Sequence, residues 1–461
     1  MNLSLALLLL YSLGLLALGL WIGRQVKGAK DFFVAGRAMG PGLLFSTLLA
    51  ANIGAGSTVG ATALGYRDGL AAWWWVGSAA VGSTVLALWI GPAMRRVAAE
   101  HDLRTVGDYL EFRYHASVRG LVAVLLWFGS LAILAGQLIA MSSILSVVAG
   151  APKWVGCTIG GILITIYSSA GGLKGGAWVN MVQLSVKIAG FAIALPLALA
   201  AVGGWSAVTA MPVPSADYWN FWSGGPSGIV YLALLGPAFV VSPGILQKLY
   251  AARDDRAVRL GTGLNALGLF LYAIIPVVLG MIARLRFPAL ETPDQALPMI
   301  LMHGLPVAVG TLGLAAVFSA ELSAADAVLF MLTTSLSQDL YKRFVNRQAD
   351  EQRVLRVARG TTVVAGAFGT ALAIVSPSVI GALTIFYTLL GVSLFVPILG
   401  GLYVAAAQTR HAIVAMVLGV GTVLAVQVMT AGKGIGMMSP ALVGLMAAVS
   451  GWLVMLAVSR E

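Results

Sequence analysis

Residues 41 to 64 read PGLLFSTLLAANIGAGSTVGATAL, apolar enough to cross a bilayer yet interrupted midway by Asn52-Ile53-Gly54-Ala55-Gly56-Ser57-Thr58. Lipid offers no partner to a free N–H or C=O, so a broken helix at membrane depth survives only beside protein or a hydrated cavity. Unwound backbone and half-helix ends are also what membrane carriers use to hold solutes and ions. The break therefore constrains the architecture and marks where a site belongs.

The rest of the chain agrees. Of 461 residues, 59% are hydrophobic and 10% charged, whereas soluble domains carry about 25% charged residues. The pattern predicts an all-α membrane protein with about thirteen transmembrane helices: 3–23, 41–65, 70–94, 120–149, 154–170, 178–203, 227–248, 261–283, 306–336, 360–376, 379–404, 411–430 and 440–459. Loops are short, so 1–461 reads as one transmembrane transport domain acting as a monomer in the lipid bilayer. The polar stretches Arg95 to Arg119 and Gln338 to Arg359 suit surface helices. Cys157 stands alone, which excludes a disulfide framework and a thiolate metal cluster. The span 3–23 lacks a basic n-region and precedes Arg24, Lys27 and Lys30, so it reads as a retained helix. The net charge of +11 does not point to nucleic acid, because twenty-two of the 28 Lys and Arg fall in segments on one side. By the positive-inside rule this predicts a multi-pass cell-membrane protein with its N-terminus outside and its C-terminus cytoplasmic. Trp205 to Gly228 and Trp73-Trp74-Trp75 suit aromatic belts at the membrane interface. No His-Glu-x-x-His or P-loop appears, and the four histidines fall in loops or at span ends, which argues against an enzyme.

A second interruption occurs in LLGPAFVVSPGILQKLY, at Gly236-Pro237 and Ser242-Pro243-Gly244. Counting five spans from each break divides the chain into units 41–203 and 227–404, with 3–23 before them and two helices, 411–459, after. An odd number of helices per unit turns the second upside down relative to the first. Two interrupted helices at matching places are the best sequence pointer to a carrier's binding site.

Three segments carry a family resemblance: Ala50-Ala51-Asn52-Ile53; Gly171-Gly172-Leu173-Lys174 before Trp178; and Ser323-Ala324-Ala325-Asp326 leading to Gln338-Asp339-Leu340-Tyr341-Lys342. On these the chain resembles the sodium:solute symporter family over nearly its whole length. The resemblance implies a five-plus-five inverted repeat like that of the bacterial leucine transporter, with one extra N-terminal helix. It implies a sodium ion held by the backbone carbonyls of Ala50, Ile53 and Ala320 and the hydroxyl of Ser323. The chemistry is reasonable in itself, since unwound carbonyls and half-helix ends coordinate such ions. Two departures weaken a further sodium site: Ala324 stands where relatives carry a second hydroxyl, and Val179-Asn180 where they carry Thr-Asp.

Lys187 is the sharpest anomaly, about 15 Å into its span. An ionisable residue there is a functional hypothesis by default, and its partner should be a carboxylate; Asp326 and Glu321 are the candidates. Either the Lys187 ammonium replaces or competes with sodium, making transport proton-coupled or sodium-independent, or Lys187 forms a structural ion pair with Asp326. The solute chamber should be lined by Asn52, Gly54, Gly56 and Ser57 from the first break, Phe239, Ser242 and Pro243 from the second, and Gln137. Half-helix N-termini favour an anionic group, which tilts the small-molecule solute toward an organic acid or amino acid, with sugars next. Arg67-Asp68 reads as an outer gate or an interfacial pair. A channel would need a continuous polar pore. A transporter-like membrane sensor is a further alternative.

Overall fold

The computed structural model describes residues 37–459 except Met437, with the side chains of 167 and 169–178 excluded, and a few isolated positions of the first span. The predicted span 3–23 otherwise lies outside the described residues. Helix α1, Pro41–Asn52, is followed by a non-helical step and a π-turn, Gly56–Gly60, that leads into α2, Ala61–Asp68. At Gly69 the backbone adopts φ +71 and an added Cβ would fall 2.0 Å from the carbonyl of Tyr218, so glycine lets the loop close over this turn. Then come α3, Trp73–Val85, and α4, Gly91–Glu100, joined through a π-turn. Next are α5, Val106–Arg113; α6, Ala116–Ala149; and α7, Lys153–Ala201. The second break separates α8, Tyr231–Val241, from α9, Pro243–Tyr250. It is followed by α10, Asp255–Tyr272; α11, Ile274–Arg286; α12, Ala296–His303; and α13, Val307–Thr334, extended by a π-helical segment to Val345. The chain ends with α14, Glu351–Val375; α15, Val379–Tyr403; α16, Thr409–Met429; and α17, Pro440–Val458.

Among the described residues ten helices are long and apolar enough to cross a membrane, against the thirteen expected. At 170–178, where a loop was expected, the backbone of α7 continues as helix. The glycine pairs there lower helix propensity but remove no hydrogen-bond donor, so they permit a helix that neighbours support. The polar stretches expected as surface helices largely extend the spans beside them, with α5 as a separate helix opened by a Thr105–Asp108 capping box.

Packing follows the two breaks. The first interrupted helix lies against α10 and α11, as α8 of the second lies against α3. Likewise α6 packs on α15 as α13 packs on α7. These contacts in one half thus have counterparts in the other. Contact between α2 and α11 is close because small residues meet: a Cβ on Gly65 would lie 2.5 Å from the Val277 carbonyl, and one on Gly280 2.2 Å from that of Thr62. Leu88, Trp89, Leu267 and Phe270 point outward and exposed, as a lipid-facing surface requires.

Candidate functional site

The first break leaves backbone groups that helix geometry does not satisfy, and buried groups of this kind need partners. Each of those below has one. The N–H of Gly54 donates to Ser57 Oγ at 3.0 Å, and Ser57 Oγ donates back to the Asn52 carbonyl at 2.9 Å. The N–H of Ala55 donates to Gln137 Oε1 at 2.8 Å, so α6 holds the unwound segment from the side. Thr58 Oγ1 lies 3.0 Å from the Gly54 carbonyl. The carbonyls of Ala50 and Ile53 accept from Lys187 Nζ, at 2.5 and 3.0 Å.

Lys187 completes its third hydrogen bond on Ser323 Oγ at 2.5 Å. Ser323 Oγ also lies 2.9 Å from the Ala50 carbonyl and 3.1 Å from that of Ala320. The oxygens that the resemblance implies for sodium are thus gathered in one place, and a fully buried ammonium sits among them. Carbonyl and hydroxyl oxygens suit sodium chemically, but in this arrangement three of them already carry the Lys187 hydrogen bonds. The set does not admit sodium unless the lysine withdraws.

The expected ion pair of Lys187 with Asp326 is not formed. Glu321 and Asp326 lie five residues apart on α13, about 140° around the helix, so they face different neighbours. Glu321 is the carboxylate whose charge Lys187 feels, and its Oε1 accepts from Thr58 Oγ1 at 2.6 Å. Asp326 Oδ1 accepts from Ser168 Oγ at 2.6 Å and acts on a second buried lysine, Lys248. Asn180, standing where the resemblance leads one to expect a carboxylate, donates to Thr47 Oγ1 at 3.2 Å. Ser319, on the same face as Ser323, accepts from Tyr11 Oη at 2.9 Å.

At the second break Ser242 adopts φ −56, ψ 120, and Pro243 opens α9, where its missing N–H costs nothing. Between the two breaks lies a cavity of about 90 Å³. Asn52, Gly54, Gly56, Ser57, Gln137, Phe239 and Ser242 line it together. Pro243 does not; its ring lines a smaller space near Asp339. Asn52 Nδ2 donates to Asn265 Oδ1 at 3.1 Å.

Among the lining residues that sequence reasoning missed are Trp75, Phe386, Tyr387 and Lys248. The tryptophan triplet is not an interfacial belt, because all three rings are buried. The loop after α7 folds over them: Trp74 Nε1 donates to the Phe221 carbonyl at 3.0 Å, and Trp73 and Trp74 pack on the Phe221 ring. Trp75 meets Tyr231 and Tyr387 edge to face at the cavity wall. The bulk of an indole lowered into a chamber looks, in sequence, like one placed in headgroups. Above the cavity Arg67 grips Asp68 through two hydrogen bonds, 2.7 and 2.6 Å, while buried Asp68 accepts from Ser227 Oγ at 2.5 Å. The pair therefore ties the first interrupted helix to the covering loop.

The likenesses to known proteins converge. A model of the sodium:solute symporter family matches residues 32–419. The human sodium/iodide cotransporter is 28% identical over 439 residues, covering 88% of this chain and 66% of that protein. The sodium/glucose cotransporter of Vibrio parahaemolyticus is 24% identical over 394 residues, covering 76% of this chain and 71% of that one. The chain thus spans about two thirds of the length of these relatives. A solved structure of a Na+-coupled sialic acid symporter, substrate-bound and outward-open, superposes with a TM-score of 0.84 at 18% identity, covering 99% of this chain and 97% of that one. The closed structure of Mhp1, a nucleobase-cation-symport-1 family transporter, superposes with a TM-score of 0.57 at 14% identity, covering 93% and 94%. At these identities the two structures speak for the fold.

Proposed function

The chain belongs to the sodium:solute symporter family, and on that premise we propose that it is a secondary active symporter of a small organic solute. Organic acids are favoured over sugars. It works by alternating access around the cavity between the two interrupted helices. The single observation that carries the coupling side of this reading is Lys187 Nζ on Ala50 O, Ile53 O and Ser323 Oγ. An ammonium and a sodium ion cannot share those oxygens. The lysine is therefore a tethered competitor for the seat that the family assigns to the driving ion. Binding, orientation and exclusion of water remain the work of the chain's own residues. Gln137 and Ser57 keep the unwound segment open. Trp75, Phe239 and Tyr387 wall the chamber.

The test is the sodium response of purified protein and of its Lys187→Met variant, read as melting temperature and as uptake into liposomes. The variant is expected to respond at sodium concentrations at least roughly tenfold lower than the wild type. An identical response in both proteins would remove the competition. A second reading has its own support: all three Lys187 donors are satisfied, so the ammonium can hold the seat throughout. In that case wild-type uptake proceeds against an outward-directed solute gradient without sodium, driven by a proton gradient instead.

A further inference from the structure

Lys248 is the one charged residue among the described residues that line the cavity. Its side chain is buried, and an ammonium carries three donors that must each be matched when water is withdrawn. Among the described residues its Nζ donates to one acceptor, the Thr47 carbonyl at 3.1 Å. Asp326 acts on it by charge but approaches no nearer than an unpaired neighbour, being held by Ser168. Among the described residues two donors of Lys248 thus have no acceptor, and the residue borders a cavity whose described lining carries no carboxylate.

The opposite wall is apolar. Trp75, Phe239, Phe386 and Tyr387 enclose the chamber, and Phe239 lies on Tyr387 with ring centroids 5.7 Å apart. Of the neutral polar groups, Asn52 is engaged with Asn265, and Ser57 and Gln137 with backbone at the first break, while Ser242 lies at the second. A cavity of about 90 Å³ has room for roughly half a dozen waters.

From this juxtaposition we infer that Lys248 is the residue that recognises the solute, and that the solute is a small monocarboxylate with an apolar body. The carboxylate takes the two unspent donors of Lys248, and the body lies between Trp75 and Phe239. An amino acid fits poorly, because its ammonium would enter a chamber whose lining offers a like charge and no carboxylate. A sugar fits poorly too, since its hydroxyls would face aromatic walls. The assignment rests on reading the cavity as the solute chamber of a carrier, and it names the chemistry of that same site.

Equilibrium binding to the purified full chain tests this, followed through tryptophan fluorescence with Trp75 as reporter and repeated by calorimetry. The probes are propionate, lactate, propionamide, alanine and glucose. Propionate or lactate is expected to bind at least roughly tenfold more tightly than propionamide or alanine, in keeping with the strength of charge-assisted hydrogen bonds. Lys248→Met is expected to weaken carboxylate binding about tenfold to a hundredfold and to bring propionate and propionamide together. Lys248→Arg, which keeps the charge, should retain the preference for carboxylate and guards against loss of fold in the methionine variant. Equal affinity for propionate and propionamide in the wild type overturns the inference. So does a Lys248→Met variant that binds propionate within threefold of wild type. Binding needs no ion gradient, so the two readings fail separately. Carboxylate binding without gradient-driven uptake leaves the inference standing and sinks the carrier reading. Gradient-driven uptake of glucose or alanine with no carboxylate binding does the reverse.

Discussion

Two lysines are buried in one helix bundle, and their hydrogen bonds divide them. Lys187 reaches three oxygens, two of them carbonyls freed by the break in the first interrupted helix. Lys248 reaches one and borders the chamber. A buried ammonium with every donor matched is part of the structure; one with donors to spare is open to a ligand. The same residue type, buried in both places, thus plays two parts, decided by how many oxygens its surroundings present to it. The carbonyls freed by the first break turn toward Lys187, whereas the second break turns Ser242 and Lys248 to the cavity.

The comparison breaks most readily at Lys187. Lys187→Met leaves the Ala50 and Ile53 carbonyls without their donor and removes the cation nearest in charge to Glu321. A buried acceptor left without its partner costs about 1–3 kcal/mol. The expected outcome is a large fall in the melting temperature in detergent, partly reversed by sodium. Glu321→Gln added to Lys187→Met should recover part of the loss, because the second change removes an ionisable group left without its neighbouring cation. Strict additivity of the two single losses would show that Lys187 and Glu321 are independent.

A smaller effect sharpens the role of the first break. Gln137→Leu removes the acceptor of the Ala55 N–H while keeping volume at the cavity wall. An orphaned buried donor costs about 1–3 kcal/mol. The expected signature is faster amide exchange confined to residues 53–58, with α8 and α9 unaffected. Exchange that rises equally at both breaks would mean that Gln137 supports the bundle as a whole and not the unwound segment.

How far the sequence spoke for this arrangement depends on the length scale. Both interruptions were legible because glycine and proline act locally: Gly54 and Pro243 mark the steps wherever the rest of the chain goes. The cage oxygens were legible through resemblance, since Ala50, Ile53, Ala320 and Ser323 sit in segments with a recurring pattern. Lys187 stood out because a charge within an apolar run is conspicuous. Its partner was not legible: whether it meets Asp326 or Glu321 turns on the rotation of α13 against α7, which no local pattern encodes. Lys248 escaped because it lies at the end of its span, where a basic residue ordinarily marks the inner boundary. The tryptophan triplet misled for a related reason. An interfacial ring and one covered by a distant loop share the same neighbours in sequence, and here residues some 150 positions away, Phe221 and Trp222, decide the matter.

The smallest expected effect lies at the basic end of the bundle, away from both lysines, and serves as their control. Arg119 bridges Asp108, Glu111 and Asp339 at 2.8, 3.0 and 2.8 Å, and Arg343 holds Glu111 at 2.5 Å. This cluster pins the end of α13 to α5. Burial works against the Glu111 carboxylate, but its hydrogen bonds to Arg343 and Arg119 outweigh that and hold it below its usual range. A carboxylate depressed in the folded state stabilises above its unfolded value and loses that contribution as pH falls through its folded one. Glu111→Gln should therefore lower the melting temperature slightly at neutral pH, with the gap from wild type closing below about pH 4. Because the pair is half-exposed, raising the salt to about 1 M should shrink the same gap. Binding of propionate should not change in this variant. A loss of solute binding in Glu111→Gln would mean that the basic end of the bundle and the chamber move together, and the separation between a structural lysine and a solute-facing one would then have to include the cluster around Arg119.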